Sequence, residues 1–132
     1  MDDVASLIEA AKQARERAYA PYSHFAVGAA LRTASGQLFS GCNVENASYG
    51  LTICAERVAI ACAVAAGRRE IVALAVVADT ARPALPCGAC RQVMVEFNPG
   101  MQVILTNLHG QVQITTAEEL LPEAFTAKDL ER

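Results

Sequence analysis

The chain has no tryptophan, only two histidines, and charged side chains at 19% of its 132 positions. Each shortage excludes something. The 11 basic residues are outnumbered by 14 acidic ones, for a net charge of −3, and they are scattered. Only Arg68 and Arg69 adjoin, after Gly67, at an expected helix end where cations suit the dipole. A partner held mainly through its phosphates, nucleic acid above all, is therefore excluded, since such binding leans on clustered Lys and Arg. Long apolar segments are missing too: the longest unbroken run, Val58 to Ala66, falls far short of the roughly 20 residues a membrane span needs. The start, Met1-Asp2-Asp3, is acidic where a secretory leader would be basic, so a cytoplasmic location is expected. In that reducing compartment, five cysteines point to metal ligands, catalytic thiols or small buried side chains before disulfides.

Small aliphatic residues are what the chain has in plenty: 53% of it is hydrophobic. A length of 132 residues fits a single domain, 1–132, with one core. The apolar excess points to a subunit interface, because obligate homo-oligomer contacts resemble a cut core.

Val4, Leu7, Ile8, Ala11, Ala14 and Ala18 recur at helical spacing and predict a surface helix ending before Pro21. Phe25 to Thr33 and Gln37 to Cys42 predict a hairpin turning at Ala34-Ser35-Gly36. Asn43 to Gly50 has loop composition, and Thr52 is the expected N-cap of an Ala-rich helix that ends at Gly67. That helix is apolar nearly all round, so a sheet and a neighbouring subunit should cover it. Ile71 to Ala78 is the pattern of a strand buried on both faces, and Asp79 to Pro86 is turn-like. Cys90, Val93, Met94 and Phe97 mark another helix, stopped by Pro99-Gly100. Two strands, Val103 to Thr106 and Val112 to Thr115, and a short helix from about Ala117 follow. This order predicts an α/β sandwich with helices covering a mixed sheet.

Two motifs carry chemistry: Cys54-Ala55-Glu56 at one expected helix start and Pro86-Cys87-Gly88-Ala89-Cys90 at another. Helix starts carry free N–H groups and partial positive charge, which favour thiolate over thiol. Residues two apart in mid-helix point about 200° away from each other, so Cys54 and Glu56 can share a site only off the helix end. A metal there could be reached by the thiolate while the carboxyl stays near a bound water. Three protein ligands, Cys54, Cys87 and Cys90, describe catalytic rather than structural zinc. Metal binding lowers the pKa of a bound water to about 7, and Glu56 would act as general acid and base. Three thiolates over-neutralise Zn²⁺, and Arg57 is the cation placed to offset them.

Taken alone, Cys-x-Glu is uninformative, and Cys-x-x-Cys is more often redox-active or incidental than a metal half-site. A dithiol redox protein and a non-enzymatic zinc module therefore stand as rivals. Glu56 argues against both, and a structural zinc would need a fourth ligand. Cys42 and Cys62 are expected to be small buried residues, the first ending a strand and the second inside the apolar helix. His24 and His109 fall in loops and receive no role.

Cys-x-Glu together with Pro-Cys-x-x-Cys is the three-cysteine form of a zinc deaminase signature. With Ala18-Tyr19-Ala20-Pro21-Tyr22-Ser23, the run Gly41 to Tyr49, Cys54-Ala55-Glu56-Arg57, the run Pro86 to Gln92, Val103 to Asn107 and Glu119-Leu120-Leu121-Pro122, the chain resembles the small homotetrameric zinc-dependent cytidine deaminases over nearly its whole length. The resemblance implies a three-layer α/β/α sandwich with a mixed five-stranded sheet, one Zn²⁺ per subunit, and a homotetramer. It also implies hydrolytic deamination of free cytidine and deoxycytidine to uridine and deoxyuridine, with release of ammonia, in pyrimidine salvage.

By the same match, Asn43 and Glu45 resemble a ribose-binding pair, Phe25 a ring packed on the base, and Ala55 a further substrate contact. Tyr49 and Phe125 resemble residues that reach a neighbouring subunit's site. The residues by themselves leave a turn-forming Asn43, a surface Glu45 and a core Phe25 open. Blasticidin deaminases share the zinc motifs, and Asn43-Val44-Glu45-Asn46 is what favours a nucleoside. Enzymes that edit polynucleotides are disfavoured by the acidic charge.

Overall fold

The computed structural model describes residues 3–131; Met1 and Asp2, from the acidic start, and the terminal Arg132 lie outside the described residues. The first helix, α1 (Asp3–Arg15), has an acid in its first turn, bases in its last, and one buried stripe of Leu7, Ala11 and Ala14. It is shorter than its apolar period suggests. The amides of Glu16, Arg17 and Ala18 bond three residues back, at 3.2, 3.0 and 3.1 Å. This tighter winding lets Tyr19 N–H reach the Asn43 carbonyl at 3.0 Å.

Strands β1 (Val27–Thr33) and β2 (Leu38–Cys42) form the expected antiparallel hairpin, with Gly28 opposite Cys42. β1 also pairs antiparallel with β3 (Ile71–Ala78), β3 runs parallel to β4 (Gln102–Asn107), and β5 (Val112–Thr116) closes antiparallel on β4. The sheet is mixed, five-stranded, in the order β2-β1-β3-β4-β5. Alternation along β3 splits it between two cores: Leu74, Val76 and Ala78 face one side, Ala73, Ala75 and Val77 the other. Helix α1 covers the second face; α2 (Ala55–Ala65), α3 (Gly88–Phe97) and the short α4 (Ala117–Leu120) contribute to the first. The α/β class, the three layers and the mixed sheet match the expectation.

Two glycines set how closely the helices lie. A Cβ on Gly28 would fall 2.0 Å from the Ala11 carbonyl oxygen in α1, and one on Gly41 would fall 2.5 Å from Ala59 N and 2.8 Å from Ala55 O in α2. Backbone rests on backbone at both places. At Gly41 the residue fixed is next to Cys54 and Glu56.

Two local expectations are corrected. Helix α2 is capped by Cys54 and not by Thr52, because Val44 and Ile53 exchange backbone hydrogen bonds, both 2.9 Å, that keep the chain extended two residues longer. Cys62 is exposed and not buried: it lies on the outer side of α2 with Ala61 and Val64, where no part of the described chain packs. Among the described residues no helix is long and apolar enough to cross a membrane.

Candidate active site

Helices α2 and α3 converge through their N-termini. Cys54 and Cys87 are the two N-cap residues, each extended in backbone and neither using its side chain as a cap, and Cys90 follows in the first turn of α3. The Sγ atoms of Cys54 and Cys87 are 3.8 Å apart. Those of Cys87 and Cys90 are 3.5 Å apart, and all three lie within 4.8 Å of one another. Zinc–thiolate bonds of about 2.3 Å in tetrahedral geometry place sulfurs about 3.8 Å apart, so the cluster fits zinc in spacing as well as in donor type. Among the described residues no other group of three acidic, His or Cys side chains converges this way.

Arg57 Nη2 donates to Cys54 Sγ at 3.6 Å, while its Nε is buried without a partner. The thiol of Cys90 and then Arg57 and Cys87 hold the Cys54 thiol down to about 5, against a cost from burial. Cys90, beside the Cys54 thiol and itself buried, is pushed up. Glu56 is 4% exposed. Burial, and after it the neighbouring Cys54 thiolate, lifts its carboxyl to about 7. A carboxyl balanced near neutrality can both take and give a proton.

These groups open onto a cavity of about 390 Å³. Phe25, Asn43, Cys54, Ala55, Glu56 and Cys87 line it, so the structure brings together six of the residues singled out from sequence. Asn43 is 7% exposed, and its amide braces the loop before β1: Oδ1 accepts from Val27 N at 2.9 Å and Nδ2 donates to Phe25 O at 2.8 Å.

Glu45 is not in this cavity. It lines a neighbouring one of about 350 Å³ with Tyr22, Ser23 and Tyr49, and Thr52 borders both. Its carboxylate accepts from Tyr22 N at 2.9 Å and Ser23 N at 3.1 Å, and also from the Ser23 hydroxyl. The Ser23 hydroxyl first, then the two amides, hold its pKa below the usual carboxylate range. Tyr49 meets Tyr22 edge-on, centroids 6.1 Å apart, and is 75% exposed. Phe125 lines neither cavity and is also exposed.

The far wall was not singled out from sequence. Thr80, Arg82, Pro83, Ala84 and Leu85, from the segment read as a turn, line the cavity. That wall is tied to β4: Asn107, 1% exposed, donates from Nδ2 to Thr80 O at 3.0 Å, and Ala84 N donates to Thr106 O at 3.0 Å. One signal was available: the segment joins a buried strand to a ligand-bearing helix, the place where α/β sheets bind ligands.

Three thiols from the chain, with a buried carboxyl beside them facing an open cavity, define a catalytic metal centre of the zinc hydrolase type rather than a structural zinc knot. Residues 1–106 match the cytidine and deoxycytidylate deaminase zinc-binding region, and the chain belongs to that family. It is 60% identical to the cytidine deaminase of Halalkalibacterium halodurans over 94% of this chain and 95% of that one. To the cytidine deaminase of Sporosarcina psychrophila it is 56% identical over 97% and 95%. A crystal structure of cytidine deaminase from Burkholderia pseudomallei superposes with a TM-score of 0.92 at 60% identity, covering 95% of this chain and all (100%) of that one.

Proposed function

We propose that the chain deaminates free cytidine and deoxycytidine hydrolytically, giving uridine or deoxyuridine and ammonia, as a cytoplasmic enzyme of pyrimidine salvage. The observation that carries this reading is the buried Glu56 beside three converging thiols, in a cavity of about 390 Å³, within the range that holds small ligands. One Zn²⁺ per chain, held by Cys54, Cys87 and Cys90, would supply Lewis acidity and lower the pKa of a bound water.

The chain's own groups do the rest. Glu56 takes one proton from the attacking water and passes it to N3 of the pyrimidine as oxygen adds at C4, then takes the proton of the new C4 hydroxyl and delivers it to the departing amine; water in and ammonia out balance the reaction. Phe25 packs against the base, Ala55 borders it, and Arg57 offsets the charge of the thiolates. Asn43 and Glu45 take the ribose hydroxyls from two adjoining cavities. Asn43 still has one amide hydrogen and one lone pair to offer, since each of its two polar atoms makes one hydrogen bond. The reading takes residues 1–132 as one domain and the assembly as a homotetramer. The exposed Tyr49 and Phe125, at 75% and 59%, reach a neighbouring copy's site.

The test is loss of cytidine's ultraviolet absorbance on adding zinc-loaded protein, beside Glu56→Gln. Wild type converts both nucleosides, and the variant keeps its zinc while losing at least about 100- to 10,000-fold in turnover. A zinc-loaded wild type that leaves both nucleosides untouched would overturn the reading. Sizing at micromolar concentration tests the assembly, and a monomer there would remove the shared site.

A further inference from the structure

Beyond the reaction itself, and resting on the zinc reading above, the hydrogen bonds around Cys87 lead to the C-terminal segment. Arg91, one turn into α3, holds Cys87 from two sides: its backbone N–H donates to the Cys87 carbonyl at 3.0 Å and its Nε to the Pro86 carbonyl at 2.8 Å. The same guanidinium reaches across the fold, where Nη1 donates to the Leu120 carbonyl at 2.9 Å. Next to it, Gln92 Nε2 donates to the Phe125 carbonyl at 2.8 Å. Among the described residues Arg91 has no carboxylate partner, so its side-chain donors go to these two carbonyls. A planar fork can serve two acceptors in fixed directions at once; a lysine ammonium is a point donor on a flexible stem.

We propose that Arg91 is a positioning residue that couples retention of zinc at Cys87 to the seating of residues 120–125. One guanidinium fixes the peptide just before a metal ligand and, at Leu120, the start of the C-terminal segment, so the coupling runs through Leu120 and the Gln92 link to Phe125 lies outside it. The coupling is reciprocal: zinc also seats the segment.

The test uses full-length, zinc-loaded wild type, Arg91→Lys and Gln92→Ala, at a temperature where circular dichroism shows each folded. Zinc transfer to a colorimetric chelator is timed, and proteolytic cleavage within 120–125 is followed with and without zinc. Arg91→Lys should release zinc roughly tenfold faster or more, as groups that orient metal ligands typically do when altered, and should be cut faster in 120–125. Gln92→Ala, which loses only the Phe125 link, should release zinc within about twofold of wild type on the same comparison. Wild type stripped of zinc should be cut faster than loaded wild type, a comparison that needs no variant.

Zinc release from Arg91→Lys at the wild-type rate, equal release from both variants, or cleavage indifferent to zinc would each overturn the coupling. A wild type that takes up no zinc would instead remove the metal reading on which the coupling rests.

Discussion

On one face of the sheet α1 lies lengthwise, and its Leu7 and Ala11 complete a core with Ala30, Ala73, Ala75 and Ile104. On the other face α2 and α3 meet end to end, and the side chains at their N-termini are Cys54, Glu56, Cys87 and Cys90. The strands are shared, and β3 gives alternate residues to each side. The difference lies in how the helices are aimed. A helix laid along a sheet has its N–H groups used internally and offers a buried stripe; two helix ends brought together offer free N–H groups, partial positive charge and first-turn side chains to one point. The α1 face supplies stability alone, while the other holds the larger core and the chemistry as well.

The largest expected effect separates these roles outright. Cys90→Ser removes a buried thiol ligand, and zinc content and turnover should both fall to background while the sheet persists by circular dichroism. Leu7→Ala on the opposite face should cost about 2–5 kcal/mol in denaturant unfolding, yet leave kcat per folded molecule unchanged. A drop in kcat for Leu7→Ala at full folding would show that the two faces are not independent.

The glycine pair sharpens the same contrast at smaller amplitude. Gly28→Ala pushes on α1 and Gly41→Ala on α2, each against helix backbone that cannot swing aside. Both should destabilise by about 1–3 kcal/mol. Only Gly41→Ala, whose Cβ presses on Ala55 O, should also raise KM and speed zinc loss, because Ala55 lines the cavity between Cys54 and Glu56. Equal kinetic damage from both would mean that displacement spreads through the sheet.

Much of this arrangement was legible before the structure. Ile71 to Ala78 reads as a buried strand because both its faces are covered and the apolar run has no polar interruption. The three thiols read as one site because Cys54 and Glu56 can meet only off a helix end, and Cys87 and Cys90 open a second expected helix. What escaped has physical reasons. An irregular wall such as Thr80 to Leu85 has no period to detect. The two-residue spacing of Asn43 and Glu45 says how they point along a strand, but the fold of Tyr22 and Ser23 around the Glu45 carboxylate partitions them into separate cavities. Cys62 sits in an apolar helix whose outer face nothing within the described chain covers, so local composition alone misplaces it.

The smallest effects concern that wall, which is tied down both by a buried group and by an exposed one. Asn107 is buried, and besides Thr80 its amide serves three further contacts: Oδ1 accepts from the amides of His109 and Gln111 at 2.9 and 3.1 Å, and Nδ2 donates to Gln111 Oε1 at 2.6 Å. Asn107→Ala strands those partners and should cost about 1–3 kcal/mol. It should also raise KM more than it lowers kcat, because the wall it anchors borders the substrate space and carries no group that moves a proton. His109, by contrast, meets Asp79 at 2.9 Å with both side chains more than half exposed, at 61% and 58%. Water replaces such a contact readily, so His109→Ala should shift stability by less than about 1 kcal/mol and leave KM alone. The two ties act on the same loop a residue apart, so a KM that rises for His109→Ala and not for Asn107→Ala would place control of the wall at its solvent edge and not at its anchor on β4.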